Sequence, residues 1–193
     1  AGRGPRVSLS AAVVKAKAKE LGADLVGIAA GETLNRFPPD PKRPQTPKRI
    51  TLEDSKSVIV VARRLLTGIA RLKGSDDRHK QYSTELVLSD LEEISLKLIY
   101  FLEDHGYPSV TVPPMHFDPR NYAPNGDSRG PLSLPHAAVE AGLGTLGLNL
   151  MLLTPEYGPR VLLGGVLTQA ALEPDRPLAA PLCVGEACGR CLL

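Results

Sequence analysis

Three glycines in the stretch AGLGTLGLN, residues 141–149, limit what this chain can fold into more than any other feature. Gly142, Gly144 and Gly147 match the letters G-x-G-x-x-G. A dinucleotide-binding turn uses that spacing only after a strand and at the start of a helix, where backbone N–H groups meet a pyrophosphate. Here the preceding residues, LPHAAVEA, favour helix, and the following ones, LNLMLLT, favour strand. The order is reversed, so the pattern argues against a doubly wound dinucleotide-binding domain.

The rest of the chain supports that exclusion. Ser10 is placed to cap a helix over AAVVKAKAKELG, ending at Gly22. Residues 24–30 and 57–62 read as buried strands, the second strongly β-branched. Between them, Pro38, Pro39, Pro41, Pro44 and Pro47 enforce a loop, because proline lacks an N–H and disfavours helix in its predecessor. A long helix is expected over residues 82–105, with Leu86, Leu88, Leu91, Ile94, Leu98, Ile99 and Leu102 as its apolar stripe and Gly106 as its stop. Further strands are expected at 109–113, 148–153 and 161–169, and a short helix at 134–141. Gly164 and Gly165 inside a strand predict a bulge or a close approach by another group. Residues 115–133 form a long loop rich in Pro, Asn, Gly and Asp, of the kind that carries function. Helices and strands mix without a regular βαβ repeat, which favours an α+β fold with a largely antiparallel sheet.

With 193 residues, the chain is long enough for one sizeable core. Trp is absent and aromatics are 4% of residues, which argues against a base-stacking nucleic-acid platform. No apolar run reaches the roughly 20 residues a membrane span needs. No signal peptide or twin-arginine leader is evident in the sequence, and a cytoplasmic location and no membrane partner are expected.

All three cysteines, Cys183, Cys188 and Cys191, fall in the last eleven residues as C-x4-C-G-R-C. Closely spaced thiolates are the usual ligands of an iron–sulfur cluster. Zinc uses similar spacing but normally takes a fourth Cys or His. The odd count and the cytosolic character disfavour a disulfide. The expectation is a metal motif that breaks off where a fourth cysteine would follow.

Taken together, these motifs resemble the core of epoxyqueuosine reductases and reductive dehalogenases. Residues 134–168 carry the resemblance: A-G-L-G-x-x-G-x-N, an apolar strand, T-P-E-Y-G-P-R, then a strand ending in L-T. The C-G-x-C tail and the early LGADLVGIA add to it, and residues 37–133 match weakly. The resemblance implies a nitroreductase-like sandwich over residues 1–170 that binds cobalamin or another corrinoid. It also implies a ferredoxin-like segment from 171–193 onward, with Cys183, Cys188 and Cys191 as ligands of a [4Fe–4S] cluster. Gly142, Gly144 and Gly147 would let backbone approach a flat macrocycle. Leu146 and Leu148 would cover it, and Asn149, Thr154, Tyr157 and Arg160 would hydrogen-bond its edge. His136 would ligate cobalt or donate to a side-chain amide. This chain departs from the family pattern in three places. Asp127 is offset by one residue from the expected acid, Leu134 and Pro135 stand where an E-R pair is usual, and Leu148 replaces a lysine.

The activity implied is a reductase acting on a carbon–heteroatom bond of a small molecule or modified nucleoside, served by an electron-donor protein. Tyr122, Asp127 and His116, in the long loop, are chemically able to donate the proton. Two alternatives stand beside this one. One is an FMN-dependent enzyme of the nitroreductase type, and the other a non-catalytic cofactor-binding or electron-transfer subunit. Clustered cations, Lys42, Arg43, Lys48, Arg49, Arg63, Arg64, Arg71 and Lys73, offer a weak footprint for tRNA.

Overall fold

A computed structural model describes residues 8–51, 55–73, 77–114 and 129–192. Helix α1 (Ala11–Glu20) starts where Ser10 Oγ accepts the Val13 N–H at 3.3 Å. It leads into strand β1 (Leu25–Ala30) and a short helix α2 (Gly31–Arg36). Strand β2 (Ser57–Arg64) follows the proline-rich loop, and helix α3 (Asp77–Asp104) runs for 28 residues. Strand β3 (Ser109–Val112), helix α4 (Leu134–Glu140), strands β4 (Thr145–Leu146) and β5 (Leu152–Leu153), and strand β6 (Val161–Thr168) complete the order.

Four strands form one antiparallel sheet in the order β1-β2-β6-β3, and β4 pairs with β5 as a separate hairpin. Alternation along the strands sends side chains to two cores. Val26, Ile28, Ile59, Val61 and Val166 pack with Leu91, Ile94, Leu98 and Leu102 of α3 and with Val14 and Ala18 of α1. Val58, Val60, Val112 and Leu167 pack with Leu34, Leu134, Ala137, Ala138 and Ala141 on the opposite face. The expected α+β sandwich with an antiparallel sheet is what the chain adopts. Because helices cover both faces, β2 is buried from Ser57 to Ala62, and its sequence reads as a continuous apolar run.

Several local details differ from the sequence reading. Helix α3 begins five residues earlier than expected, and Leu86 is 51% exposed while Val87 takes its place inward. Helix α2 was not foreseen. Instead of one strand over 148–153, the chain makes the tight β4–β5 hairpin. Gly164 and Gly165 cause no bulge, since the β2–β6 register runs unbroken from Ser57↔Thr168 to Arg64↔Val161. They mark close approach on both faces. A Cβ on Gly164 would lie 3.2 Å from Leu91 and Ser95 of α3, and one on Gly165 would lie 2.9 Å from Leu134 of α4.

Candidate cofactor site

A row of residues crosses the sheet at one level: Gly27, Val60, Gly165 and Val112 are register partners in turn. Helix α4 lies over this row. Its first residue, Leu134, sits against Gly165, and the carbonyl of Ala141, just past its end, lies 2.2 Å from where a Gly27 Cβ would be. Two missing side chains therefore let the helix seat on the sheet. Gly142, with φ of +71°, ends α4 in the left-handed conformation typical of a helix C-terminus.

The glycine stretch then turns into the hairpin. A Cβ on Gly144 would lie 2.0 Å from the Leu153 carbonyl oxygen, and one on Gly142 would lie 2.6 Å from that of Arg176. At both positions the missing Cβ faces the protein's own backbone. Gly147 is different, since its nearest neighbour is the Asn149 side chain at 3.1 Å.

The hairpin tip is a three-residue loop. Gly147 N–H donates to Met151 O at 2.9 Å, and Leu150 N–H donates to Gly147 O at 2.9 Å. Such loops place their last residue in the left-handed region, where Gly is usual. Here it is Leu150, with φ of +62°, the one non-glycine among the described residues with positive φ. Leu150 is 67% exposed, and its neighbours Leu148 and Met151 are exposed too. An apolar side chain in a strained conformation, pointing into solvent, breaks a local rule in the way binding sites do. Leu150 and Met151 were missed from sequence because a strand was expected there, with no turn to give Leu150 its conformation.

Among the other candidates, Asn149 Oδ1 accepts the Met151 N–H at 3.2 Å. Thr154 is buried, donates to Gly158 O at 3.3 Å and accepts from Tyr157 N–H at 3.1 Å. Its hydroxyl closes the T-P-E-Y-G turn. Tyr157 is half-buried and Arg160 exposed, and neither side chain has a hydrogen-bond partner among the described residues.

His136 lies near the other end of α4, about 9 Å from Gly142 along the helix axis at 1.5 Å per residue. Its Nδ1 is 2.6 Å from Ser133 Oγ. Ser133 stands at the N-cap and makes no capping bond, so its hydroxyl serves the histidine instead. Burial lowers the His136 pKa from its ordinary value, which favours the neutral ring.

The cysteine tail is brought to the hairpin. Leu182 N–H donates to Thr145 Oγ1 of β4 at 2.9 Å, immediately before Cys183. Gly185 N–H donates to Cys183 Sγ at 3.4 Å, the kind of bond that tunes cluster thiolates. All three thiols are free, and among the described residues no three His, Cys, Asp or Glu side chains converge on a common point.

Tyr122, Asp127 and His116 lie outside the described residues. The chain beyond them is held at Arg129, whose Nη1 pairs with Asp40 at 2.9 Å, and at Gly130, whose carbonyl accepts from Gln45 Nε2 at 2.8 Å. Backbone hydrogen bonding from Lys42, helped by Arg129, lowers the Asp40 pKa. Of the expected cation cluster, Arg63 is tied to Asp24 at 3.0 Å and Asp90 at 2.5 Å, and Arg64 reaches Asp24 at 3.6 Å. The hydrogen bond Arg63 donates to Asp90, and then that to Asp24, raises its pKa despite some burial. Both arginines are thus drawn into ion pairs at the sheet end. Lys48 and Lys56 instead line a cleft of about 490 Å³ with Glu32 and Asn35.

No family model matches the chain. It is 37% identical over 89 residues to a tetrachloroethene reductive dehalogenase of Dehalobacter restrictus, across 46% of this chain and 13% of that protein. It is 26% identical over 196 residues to an epoxyqueuosine reductase of Bacillus subtilis, across 90% of this chain and 46% of that protein. The chain is thus similar to reductive dehalogenases over about half its length and to epoxyqueuosine reductases over most of it. It spans less than half the length of either relative. Solved structures share the fold. A catabolic reductive dehalogenase superposes with a TM-score of 0.63 at 19% identity, over 86% of this chain and 22% of that one. An epoxyqueuosine reductase solved with a tRNA-Tyr stem loop gives 0.58 at 23% identity, over 93% of this chain and 49% of that one. No helix among the described residues is long and apolar enough to cross a membrane.

Proposed function

We propose that this chain is the corrinoid-binding module of an iron–sulfur-linked reductase that cleaves a carbon–heteroatom bond. Residues 1–170 would form the corrinoid-binding sandwich, and 171–193 would open a ferredoxin-like segment. The observation that carries this reading is the strained apolar hairpin tip held beside the cysteine segment by the Thr145–Leu182 bond. Its relationship to two kinds of reductase supports the reaction class.

The hairpin fits a flat apolar ring. Leu146, Leu148, Leu150 and Met151 offer the covering surface, and Gly147 has no backbone atom closer than 3.6 Å to a would-be Cβ. Tyr157 and Arg160 have hydrogen-bonding capacity to spend on polar substituents. His136, kept neutral by burial, is suited to accept a proton or ligate a metal. A bound corrinoid would supply low-valent cobalt as the reductant. Cys183, Cys188 and Cys191 have the donor chemistry of cluster ligands but are not gathered in this chain, so no electron path is drawn through them. Tyr122, Asp127 and His116 are the proposed proton donors. The substrate is a small molecule or a modified nucleoside, and a tRNA partner rests on the clustered cations of which Lys42, Arg43, Lys48 and Arg49 form one part.

Anaerobic reconstitution of the purified chain with iron and sulfide, followed by titration with cobalamin, tests this reading. Saturable cobalamin binding is expected, and Leu148→Ser with Leu150→Ser should weaken it about tenfold or more. Cys183→Ser should lower bound iron. A stoichiometric flavin spectrum, or cobalamin binding indifferent to the hairpin variants, would sink the assignment.

A further inference from the structure

We propose that residues 170–182 act as a strap that holds the cysteine segment against the glycine hairpin, with Asp175 as its central positioning residue. The consequence for electron delivery rests on reading the cysteines as cluster ligands, whereas the strap itself stands on contacts within the chain.

The strap leaves β6 anchored. Ser57 Oγ donates to Ala170 O at 2.8 Å and accepts the Leu172 N–H at 3.0 Å, and Leu172 is buried in the sheet's core. After Leu172 no apolar side chain from 173 to 182 is fully buried, Leu178 and Leu182 being covered only in part, so polar contacts carry most of the hold on this stretch. Pro174, Pro177 and Pro181 stiffen it, since each fixes φ and favours extended backbone.

Asp175 supplies the central hold with three contacts. Its N–H donates to Ile28 O at 2.8 Å. Its Oδ2 accepts the Ile28 N–H at 2.8 Å. Its Oδ1 pairs with Lys15 Nζ of α1. One residue thus satisfies both outward-facing backbone groups of Ile28 on edge strand β1, and bridges that edge to a helix. Next door, the Arg176 carbonyl lies in the space that the missing Gly142 side chain leaves open. The far end is the Leu182–Thr145 bond, one residue before Cys183. The strap therefore spans from the sheet core to the hairpin, and its midpoint is set by a charge-assisted bond to backbone. Electron transfer falls steeply with distance, so a strap that fixes Cys183 relative to the hairpin fixes the donor relative to the proposed cofactor.

Amide hydrogen exchange on the full chain reads this directly. Asp175→Ala is expected to speed exchange of the Leu182 and Gly185 amides about tenfold or more, with the α3 amides of Leu98 and Ile99 unchanged. Alkylation of Cys183 should accelerate in parallel. Lys15→Met removes the ion pair but keeps the backbone bonds, and should give a smaller rise in the same amides. If Asp175→Ala affects only Ile28 and its own site, the strap is not one unit and the proposal is wrong. Should Asp175→Ala also speed Leu98 and Ile99, the chain as a whole is loosened. Lys15→Met then decides: unchanged Leu182 exchange overturns the proposal. Iron loading of the wild-type chain is measured alongside. Its absence would count against the cysteines as ligands and leave the exchange result to judge the strap.

Discussion

Single atoms at Gly144 and Gly147 separate two roles that their spacing presents as one. Gly144→Ala would drive a Cβ to 2.0 Å from a backbone carbonyl that the β4–β5 pairing holds in place. A loss of about 2–4 kcal/mol in urea unfolding is expected. At Gly147 the neighbour is the end of an exposed side chain, so alanine there should cost under about 1 kcal/mol. Weakened cobalamin binding by a stable Gly147→Ala protein would mark that glycine as part of the cofactor surface. His136 makes a prediction of opposite kind. Its folded pKa is lowered by burial, so above about pH 6.5 both states are neutral and the ring adds no pH dependence. Below that value the unfolded chain takes up a proton that the folded chain resists, and stability falls as pH drops toward the folded value. Urea midpoints measured down the acid range should decline less steeply in His136→Gln than in the wild type. A matching slope in the variant would remove His136 from the account.

Elements were legible where pattern and burial agree. Ser10, the β-branched run of β2 and the stripe Leu91, Ile94, Leu98, Leu102 each declare a cap, a strand and a buried helix face through local chemistry alone. The β4–β5 hairpin was illegible because its turn uses Leu150 where a glycine would have announced it. The paired glycines of β6 were half legible: close approach could be foreseen, but not that α3 and α4 come from opposite faces. The seat of α4 gives the sharpest test at this level. Gly27→Ala meets the Ala141 carbonyl and should lift the helix, at about 2–4 kcal/mol in thermal or urea unfolding. Gly68→Ala, with nothing within 4 Å, is the control and should be neutral to within about 0.5 kcal/mol. Equal losses for the two would mean that the row of small residues under α4 is not what seats it.

Across the molecule, residues far apart in sequence meet through the sheet. Lys15, Ile28, Gly142 and Asp175 come from α1, β1, the end of α4 and the tail, yet they form one continuous contact. No periodicity marks Asp175, because its task is to bond the exposed edge of a strand more than a hundred residues earlier. The cation footprint shows the converse. Arg63 and Arg64 look available in sequence but are drawn into ion pairs with Asp24 and, for Arg63, Asp90. The helix before AGLGTLGLN, the antiparallel α+β sandwich and the similarity to epoxyqueuosine reductases and reductive dehalogenases were all readable from the chain, because each rests on neighbouring residues or contiguous motifs. Which glycines touch backbone and which face open space, the left-handed Leu150, and the delivery of Cys183 to the hairpin were not. Those depend on distances between segments that meet only once the sheet has formed.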